Sequence, residues 1–464
     1  MSVPPAVVPD PRSVAQRRAD VRAVREQVSA LFRSPEEEAF QRLVTRTVQA
    51  RRSKATAEGV VQFEVLRDGS GSGTAVVTGE VLVRTSIDPG ALASLEQLVD
   101  ASATVVPDLP GLMSLRNPSV PAEVLDDIAR TVRGWGFPAS MAHVVPLRGV
   151  LKAKGGPEAT VVDPATSFAP SQVEAGQRVR VAVVDTGAAV AGRTDGWLQD
   201  VTTAEADRGL SAVDPLNAFP QPDPDEFLDF AAGHGTLVAG VVQQVAPDAA
   251  VSMYRAVDSD GVGSEVAVAQ AIVRAVMKDG AQVVNLSLGA HTVDDQPLLA
   301  IEVALEMVRS EHPDVLVVAA AGNSGDTRPS FPAAQSGVVA VAGLTADLTL
   351  PAWASRGFWV TCGTVGEGIV STYVEGKESP VLDPDPDTWT GPDPWAVCTG
   401  SSFAAPQVAG EVARRMAVAP APTAEAPHPV PPTAHEALAA LLAKGTHRPD
   451  VGVAVRIMEG TPIG

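Results

Sequence analysis

RVRVAVVD, residues 178–185, decides the fold. From Val179 onward it is almost continuously apolar, and it ends on a carboxylate. An unbroken apolar run of this length fits a strand covered on both faces of a parallel sheet. Three further runs read the same way: AVSMYRAV (250–257), AQVVNLSLG (281–289) and DVLVVAAAGN (314–323). Helical patterns lie between them at 235–245, 264–278 and 296–310. Strands alternating with helices predict an α/β, doubly wound, mostly parallel sheet over 178–464. Toward the C-terminus, Pro-rich residues 419–433 read as an extended excursion. A helix at 435–444 and a strand at 451–459 close the domain.

Upstream of this block the pattern changes. A strand at 80–85, a helix at 88–99, strand-like residues 103–116, a helix at 120–136 and a strand at 143–150 predict a small α+β domain of ferredoxin-like order over 73–155. Asp88 and Ser119 stand where helix N-caps belong, with Pro89 suited to the first helical position. Residues 156–177, rich in Gly, Pro, Ala and Ser, read as a linker. Residues 1–72 form a basic helical extension in which Val14, Val21, Val24, Val28 and Leu31 recur at helical spacing. Between Arg12 and Lys54 it carries a local excess of six positive charges.

The whole chain is acidic: 464 residues with a formal charge of −20 and 45% hydrophobic residues. The apolar content excludes wholesale disorder, and the acidic balance argues against nucleic acid as the main ligand. No apolar run approaches the ~20 residues that span a bilayer. The N-terminal residues lack the pattern of a secretory signal. The expected compartment is therefore the cytoplasm, with non-classical export left open.

In open α/β sheets, sites form at the carboxyl ends of the strands. Asp185 ends the first strand, Asn285 and Ser287 the third, and Asn323 the fourth. Gly233-His234-Gly235-Thr236 opens one helix, and Gly400-Ser401-Ser402-Phe403-Ala404-Ala405-Pro406 opens another. A hydroxyl at a helix N-terminus lies in a field that favours developing negative charge. It needs a base, and the base needs an orienting carboxylate. Taken singly, each residue has a plainer reading: Asp185 as a cap, His234 as a structural histidine, Asn323 as part of a turn. Jointly they stand in the order Asp, His, Ser, one of the orders in which unrelated folds carry this triad.

Here the chain resembles the subtilisin-like serine proteases, or subtilases. Asp-Thr-Gly at 185–187, His-Gly-Thr at 234–236 and Gly400–Pro406 match the family's three catalytic motifs. Asn-Leu-Ser-Leu-Gly at 285–289 and Ala-Ala-Ala-Gly-Asn at 319–323 match its substrate-binding and oxyanion segments. The resemblance implies a serine endopeptidase acting on a protein or peptide substrate. Ser402 would be the nucleophile, His234 the general base, Asp185 its orienting partner, and Asn323 with the Ser402 amide the oxyanion hole. It implies a specificity pocket walled by Ser287, Leu288, Gly289, Ala320, Ala321 and Gly322. It also implies a strand near Gly261 and Gly263 that pairs with extended substrate. Ser401 stands where the family usually has Thr, which leaves open a role for its hydroxyl in place of Ser402.

By position and element order, 73–150 resembles the family's inhibitory propeptide, which implies a zymogen cut within about 150–178; the alternative is a permanent accessory domain. A different class of reading is a catalytically silent subtilase fold that binds peptides or partners. Two acidic insertions, 200–229 and 375–393, predict a rim that attracts Lys/Arg-containing substrates or holds the basic N-terminal arm. They also suit calcium, with no ligand set readable from spacing. Cys362 and Cys398 allow one bridge or two thiols.

Overall fold

The computed structural model describes Ser13, Thr47, Arg51 and residues 60–67, 73–145, 157–162, 168, 171–190, 192–203, 212–219, 226–380, 386–418 and 430–459. Of the extension expected to be helical over 1–72, only those three residues and 60–67 are described, and Phe63–Arg67 is a strand rather than a helix. Most of the Pro-rich excursion lies outside the described residues.

The first region contains β1 (Phe63–Arg67), β2 (Gly73–Arg84), α1 (Pro89–Val99), β3 (Thr104–Val106), β4 (Leu109–Arg116), α2 (Ala122–Gly134) and β5 (Ala139–His143). Its strands run β1-β2-β4-β3, with β5 also paired to β2. β1 was not expected; it forms an antiparallel hairpin with the first half of β2. Asp88 caps α1 as read, accepting from the Gly90 and Ala91 amides. Ser119 does not cap α2. Its amide donates to Asn117 Oδ1 in a turn, and α2 starts later, behind Pro121. The strand expected at 143–150 is displaced to Ala139–His143, whose five residues are all buried. The chain then leaves the sheet at Val144, and 146–150 lie outside the described residues.

β6 (Glu158–Thr160) falls within the expected linker and pairs with β17, introduced below. The nine-stranded sheet uses β7 (Arg180–Asp185), β8 (Thr202–Thr203), β9 (Ala250–Arg255), β10 (Val283–Leu286), β11 (Leu316–Ala320), β12 (Val338–Leu344), β13 (Cys362–Val365), β18 (Thr446–Arg448) and β19 (Gly452–Ala454). A hairpin of β14 (Ile369–Thr372) and β17 (Trp395–Cys398) and a small pair, β15 (Gly376–Lys377) with β16 (Thr388–Trp389), complete the strands. The large sheet runs β18-β19-β13-β12-β11-β10-β7-β9-β8, with every pair parallel except β18–β19. Strand order reverses at β7, which has β9 on one side and β10 on the other. That is the switch point where α/β sheets open a crevice.

Alternate residues of the parallel strands face two helical layers. Val181, Val183, Val283 and Val318 pack with Leu237 and Val241 of α3 (His234–Val245) and Val408 and Val412 of α6 (Ser401–Met416). Ala182, Val184, Val284 and Val317 face α4 (Glu265–Val273) and α5 (Leu299–Glu311). α7 (Ala434–Leu442) carries a capping box built by Thr433 and Glu436. The small sheet lies on the outer side of α4 and α5, so Val77, Leu82 and Leu112 share one apolar cluster with Val268, Ile272 and Val303. Its other face is closed by α1 and α2 through Leu95 and Leu125. β12 and β13 escaped the reading; β13 is only four residues long and carries a glycine and a threonine among its buried positions.

Candidate active site

Asp185, at the end of β7, has no exposed surface. Its Oδ1 accepts the Thr186 amide (2.7 Å) and the Nδ1–H of His234 (2.7 Å). His234 is the first residue of α3. That helix start is held from the β14 hairpin: Ser371 Oγ donates to Leu237 O (2.9 Å), Thr372 Oγ1 to Thr236 O (3.1 Å) and Tyr373 OH to Ala232 O (2.8 Å). The aspartate and histidine motifs meet glycine to glycine, and a Cβ on Gly235 would stand 2.0 Å from the Gly187 carbonyl oxygen. Any side chain there would push His234 off the carboxylate. His234 Nε2 is buried with no hydrogen-bond partner among the described residues. The ring lies 5.5 Å from the ring of Phe403, the residue after Ser402.

Ser401 and Ser402 open α6 and are buried. Their roles separate. Ser401 Oγ accepts the Gly322 amide (2.9 Å), and the Ser401 amide donates to Asn323 Oδ1 (2.8 Å). The Ser401 hydroxyl oxygen thus holds the β11 loop. Ser402 Oγ donates to the Ser287 carbonyl (3.3 Å), while Ser287 Oγ donates to Ser402 O (2.7 Å) and accepts from Asn285 Nδ2 (3.0 Å). A Cβ on Gly400 would come within 3.0 Å of Asn323 Nδ2, so glycine keeps the amide beside the helix start.

Ser287-Leu288-Gly289 and Ala320-Ala321-Gly322 extend the neighbouring strands β10 and β11 and lie side by side. Gly261 and Gly263 stand across β7, on the turn that follows β9. There the Gly263 carbonyl accepts the amide of Val145 (2.9 Å), and Val144 bridges Ser264 antiparallel. An extended strand therefore already pairs with this edge, and it comes from the small domain.

Four positions were missed: Asp214, Asp229, Asp393 and Arg51. Thr186 Oγ1 accepts the Gly235 amide (3.0 Å) and donates to Asp214 Oδ2 (3.0 Å). Asp214 also accepts the amides of Gly233 (2.9 Å) and Leu216 (3.0 Å). Burial pushes its carboxyl up to about 6 against these bonds. Asp229 accepts from Ser259 Oγ and the amides of Ala218 and Phe219, and burial raises it too. Residue type alone makes these one count of acids, with nothing to say which turn inward. In the second insertion the half-buried Asp393 accepts from Thr194 and Asp195. Arg51 is the fourth missed position. It is 1% exposed and sits beside the Gly261–Gly263 edge.

Among the described residues no group of three or more His, Cys, Asp or Glu is placed to hold a metal ion, so none fits the calcium expectation. Cys362 and Cys398 are both buried and no disulfide joins them; burial pushes the Cys362 thiol up to about 12. No described helix is long and apolar enough to cross a membrane.

A sequence profile of the subtilase family matches residues 176–444, more than half of the chain. The chain belongs to the subtilase family. Among its relatives, thermitase of Thermoactinomyces vulgaris is 31% identical over 188 residues, covering 38% of this chain and 59% of thermitase. A thermophilic serine proteinase of Bacillus sp. (strain AK1) is 29% identical over 236 residues, covering 46% and 52%. The chain thus spans about half to three-fifths of the length of these relatives. The solved structure of fervidolysin from Fervidobacterium pennivorans, described as a keratinolytic enzyme related to subtilisin, superposes with a TM-score of 0.55. Identity is 18%, over 86% of this chain and 62% of that one. At that identity the likeness speaks for fold alone. This subtilase has the mostly parallel α/β sheet expected of its family.

Proposed function

We propose that this subtilase is a serine endopeptidase. The observation that carries the proposal is the pairing of His234 Nδ1 with Asp185 while Nε2 stays unpartnered beside the helix start that bears Ser402. With Nδ1–H fixed on the carboxylate, Nε2 is the basic nitrogen. In this reading it takes the Ser402 proton as Oγ attacks the scissile carbonyl. It then returns that proton to the leaving amine while Asp185 stabilises the imidazolium. The tetrahedral oxyanion is received by Asn323 Nδ2 and the Ser402 amide, at the positive end of α6. Fixing Asn323 Oδ1 on the Ser401 amide orients its Nδ2 for that task. Substrate enters as an extended strand on Gly261–Gly263, a mode that reads backbone first.

The same reading makes the small domain an intramolecular inhibitor. Its support is the Val145–Gly263 bond, which puts the chain leaving that domain on the substrate-pairing edge. Autoprocessing then follows within about 150–178.

The test is intact mass against time for wild type and Ser402→Ala, with fluorophosphonate labelling alongside. Shortening and labelling of wild type alone support the whole reading. Labelling without shortening keeps the peptidase and makes the small domain permanent. Failure of wild type both to shorten and to label, before and after limited proteolysis of the small domain, overturns the peptidase.

A further inference from the structure

The loop that carries Gly261 and Gly263 also carries a buried cation site. Arg51 Nε donates to Asp260 Oδ2 (2.7 Å), and Nη2 reaches Asp260 Oδ1 (2.5 Å), Asp258 Oδ2 (2.9 Å) and the Val262 carbonyl (3.3 Å). Nη1 donates to Val61 O (2.9 Å). The guanidinium lies 4.5 Å above the Phe219 ring. Apart from the Val61 carbonyl, every one of these partners belongs to the catalytic domain. A planar fork met by a carboxylate, with a ring beneath it, is a recognition geometry for guanidinium rather than for a point charge. Arg255 faces the cluster as well, donating to Asp258 Oδ1 (2.7 Å). It leaves the buried Asp260 to Arg51.

The position of the cradle is what gives it a function. Val262, whose carbonyl touches Arg51, is flanked by Gly261 and Gly263, and Gly263 pairs with an incoming strand at Val145. Side chains on a paired strand alternate, so a substrate lying on this edge presents one to the loop. Arg51 reaches the cradle from a different segment of the chain.

We propose that Asp258, Asp260, Phe219 and the Val262 carbonyl form a subsite for an arginine side chain on the acyl side of the scissile bond, and that Arg51 fills it as an intramolecular occupant. The proposal rests on the endopeptidase reading. The N-terminal extension then withholds a specificity site, beyond whatever the small domain does at the catalytic residues. Burial pushes the Asp260 carboxyl up to about 6 even with Arg51 in place. Arg51 draws that carboxyl down, so a vacated cradle takes up a proton unless another cation replaces Arg51.

The test uses the full chain in an uncleaving Ser402→Ala background. N-acetylarginine amide is titrated calorimetrically against Ser402→Ala, Arg51→Ala/Ser402→Ala, and the triple variant that adds Asp260→Asn. N-acetylcitrulline amide, which keeps the shape and lacks the charge, is the control. The expected result is binding to the double variant at least tenfold tighter for arginine than for citrulline. The filled parent and the triple variant show none. Equal binding of the two amides, no binding, or equal binding to all three proteins overturns the subsite. If Arg51→Ala does not fold unaided, the same titration is run as refolding. Recovery with arginine and not with citrulline supports the proposal, and recovery with neither overturns it.

A second arm separates this idea from the activity beneath it. Arg51→Ala and wild type are compared on peptides bearing arginine or citrulline at each acyl-side position. A tenfold or larger gain for arginine at one position, lost in Asp260→Asn, supports the subsite. Cleavage with an unchanged ratio at every position overturns it and leaves the peptidase standing. Arginine-selective binding without any cleavage keeps the subsite and overturns the peptidase.

Discussion

Two buried histidines of this subtilase make the same bond and do different things. His234 gives Nδ1–H to Asp185 at 2.7 Å, and His143 gives Nδ1–H to Glu265 at 3.1 Å. The difference lies at the other nitrogen. His143 Nε2 accepts the Val293 amide (3.2 Å), so both of its nitrogens are used. Glu265 is equally committed, taking the His143 and Ala300 amides (2.8 and 2.9 Å). That ring is a lock between the small domain and α4. His234 Nε2 faces no such donor among the described residues. A carboxylate–histidine pair is thus a base or a fastener according to what its second nitrogen meets.

The substitutions that probe this contrast differ in size. His234→Ala should lower kcat by about 10⁵–10⁶-fold, the loss seen when this residue type is removed from subtilisin. His143→Ala should leave kcat on a small peptide within a few-fold; equal losses at the two sites would erase the distinction. Asp185→Asn keeps the shape and inverts the tautomer preference, and about 10⁴-fold is expected in kcat. Asn323→Ala should cost about 10²–10³-fold in kcat, with KM little changed.

Smaller effects follow behind the Asp185–His234 pair. Asp214→Asn should lower kcat/KM about tenfold, because Asp214 braces Thr186 and Gly233 on either side of the Asp185–His234 bond. Its pH signature has a definite sign. The native carboxyl, raised to about 6, binds its proton more tightly than the unfolded chain does. Its ionised form therefore weighs against the fold above pH 6. That burden lifts as pH falls from about 6 toward 4, and the asparagine variant loses this pH-dependent component. Melting curves from pH 4 to 7 check it. Last, His143→Ala strips one donor from the buried Glu265. It should cost about 1–3 kcal/mol, read as faster limited proteolysis of the small domain.

How much of this could be read beforehand follows from the reach of each interaction. Asp185, His234, Asn323 and Ser402 were legible because each sits at the end of an element whose apolar period is visible, in a motif of adjacent residues. Gly263 was legible as an edge. Its strand partner Val145 was not, because the strand was drawn from His143 onward when β5 in fact ends there. Asp214 looked like one acid among eight in an insertion, since nothing local separates an acid that faces inward from one that faces water. Within the two insertions Asp214, Asp229 and Asp393 are tied to backbone amides, while Glu226 and Glu375 are exposed. The acids that do receive an N-terminal arginine are Asp258 and Asp260, outside both insertions. Arg51 meets them across more than 200 residues of sequence, a distance that no spacing rule covers.

The small sheet shares its apolar cluster with α4 and α5, and through them with β7 and β10. Two domains joined by a wet interface melt separately, whereas two that divide one dry core cannot. Heating should therefore give a single calorimetric peak whose van't Hoff and calorimetric enthalpies agree. The small domain should then belong to the same cooperative unit as the strands that carry Asp185 and Asn285. Severing the peptide between the regions would leave that unit whole, since what joins them is packed hydrocarbon rather than the chain.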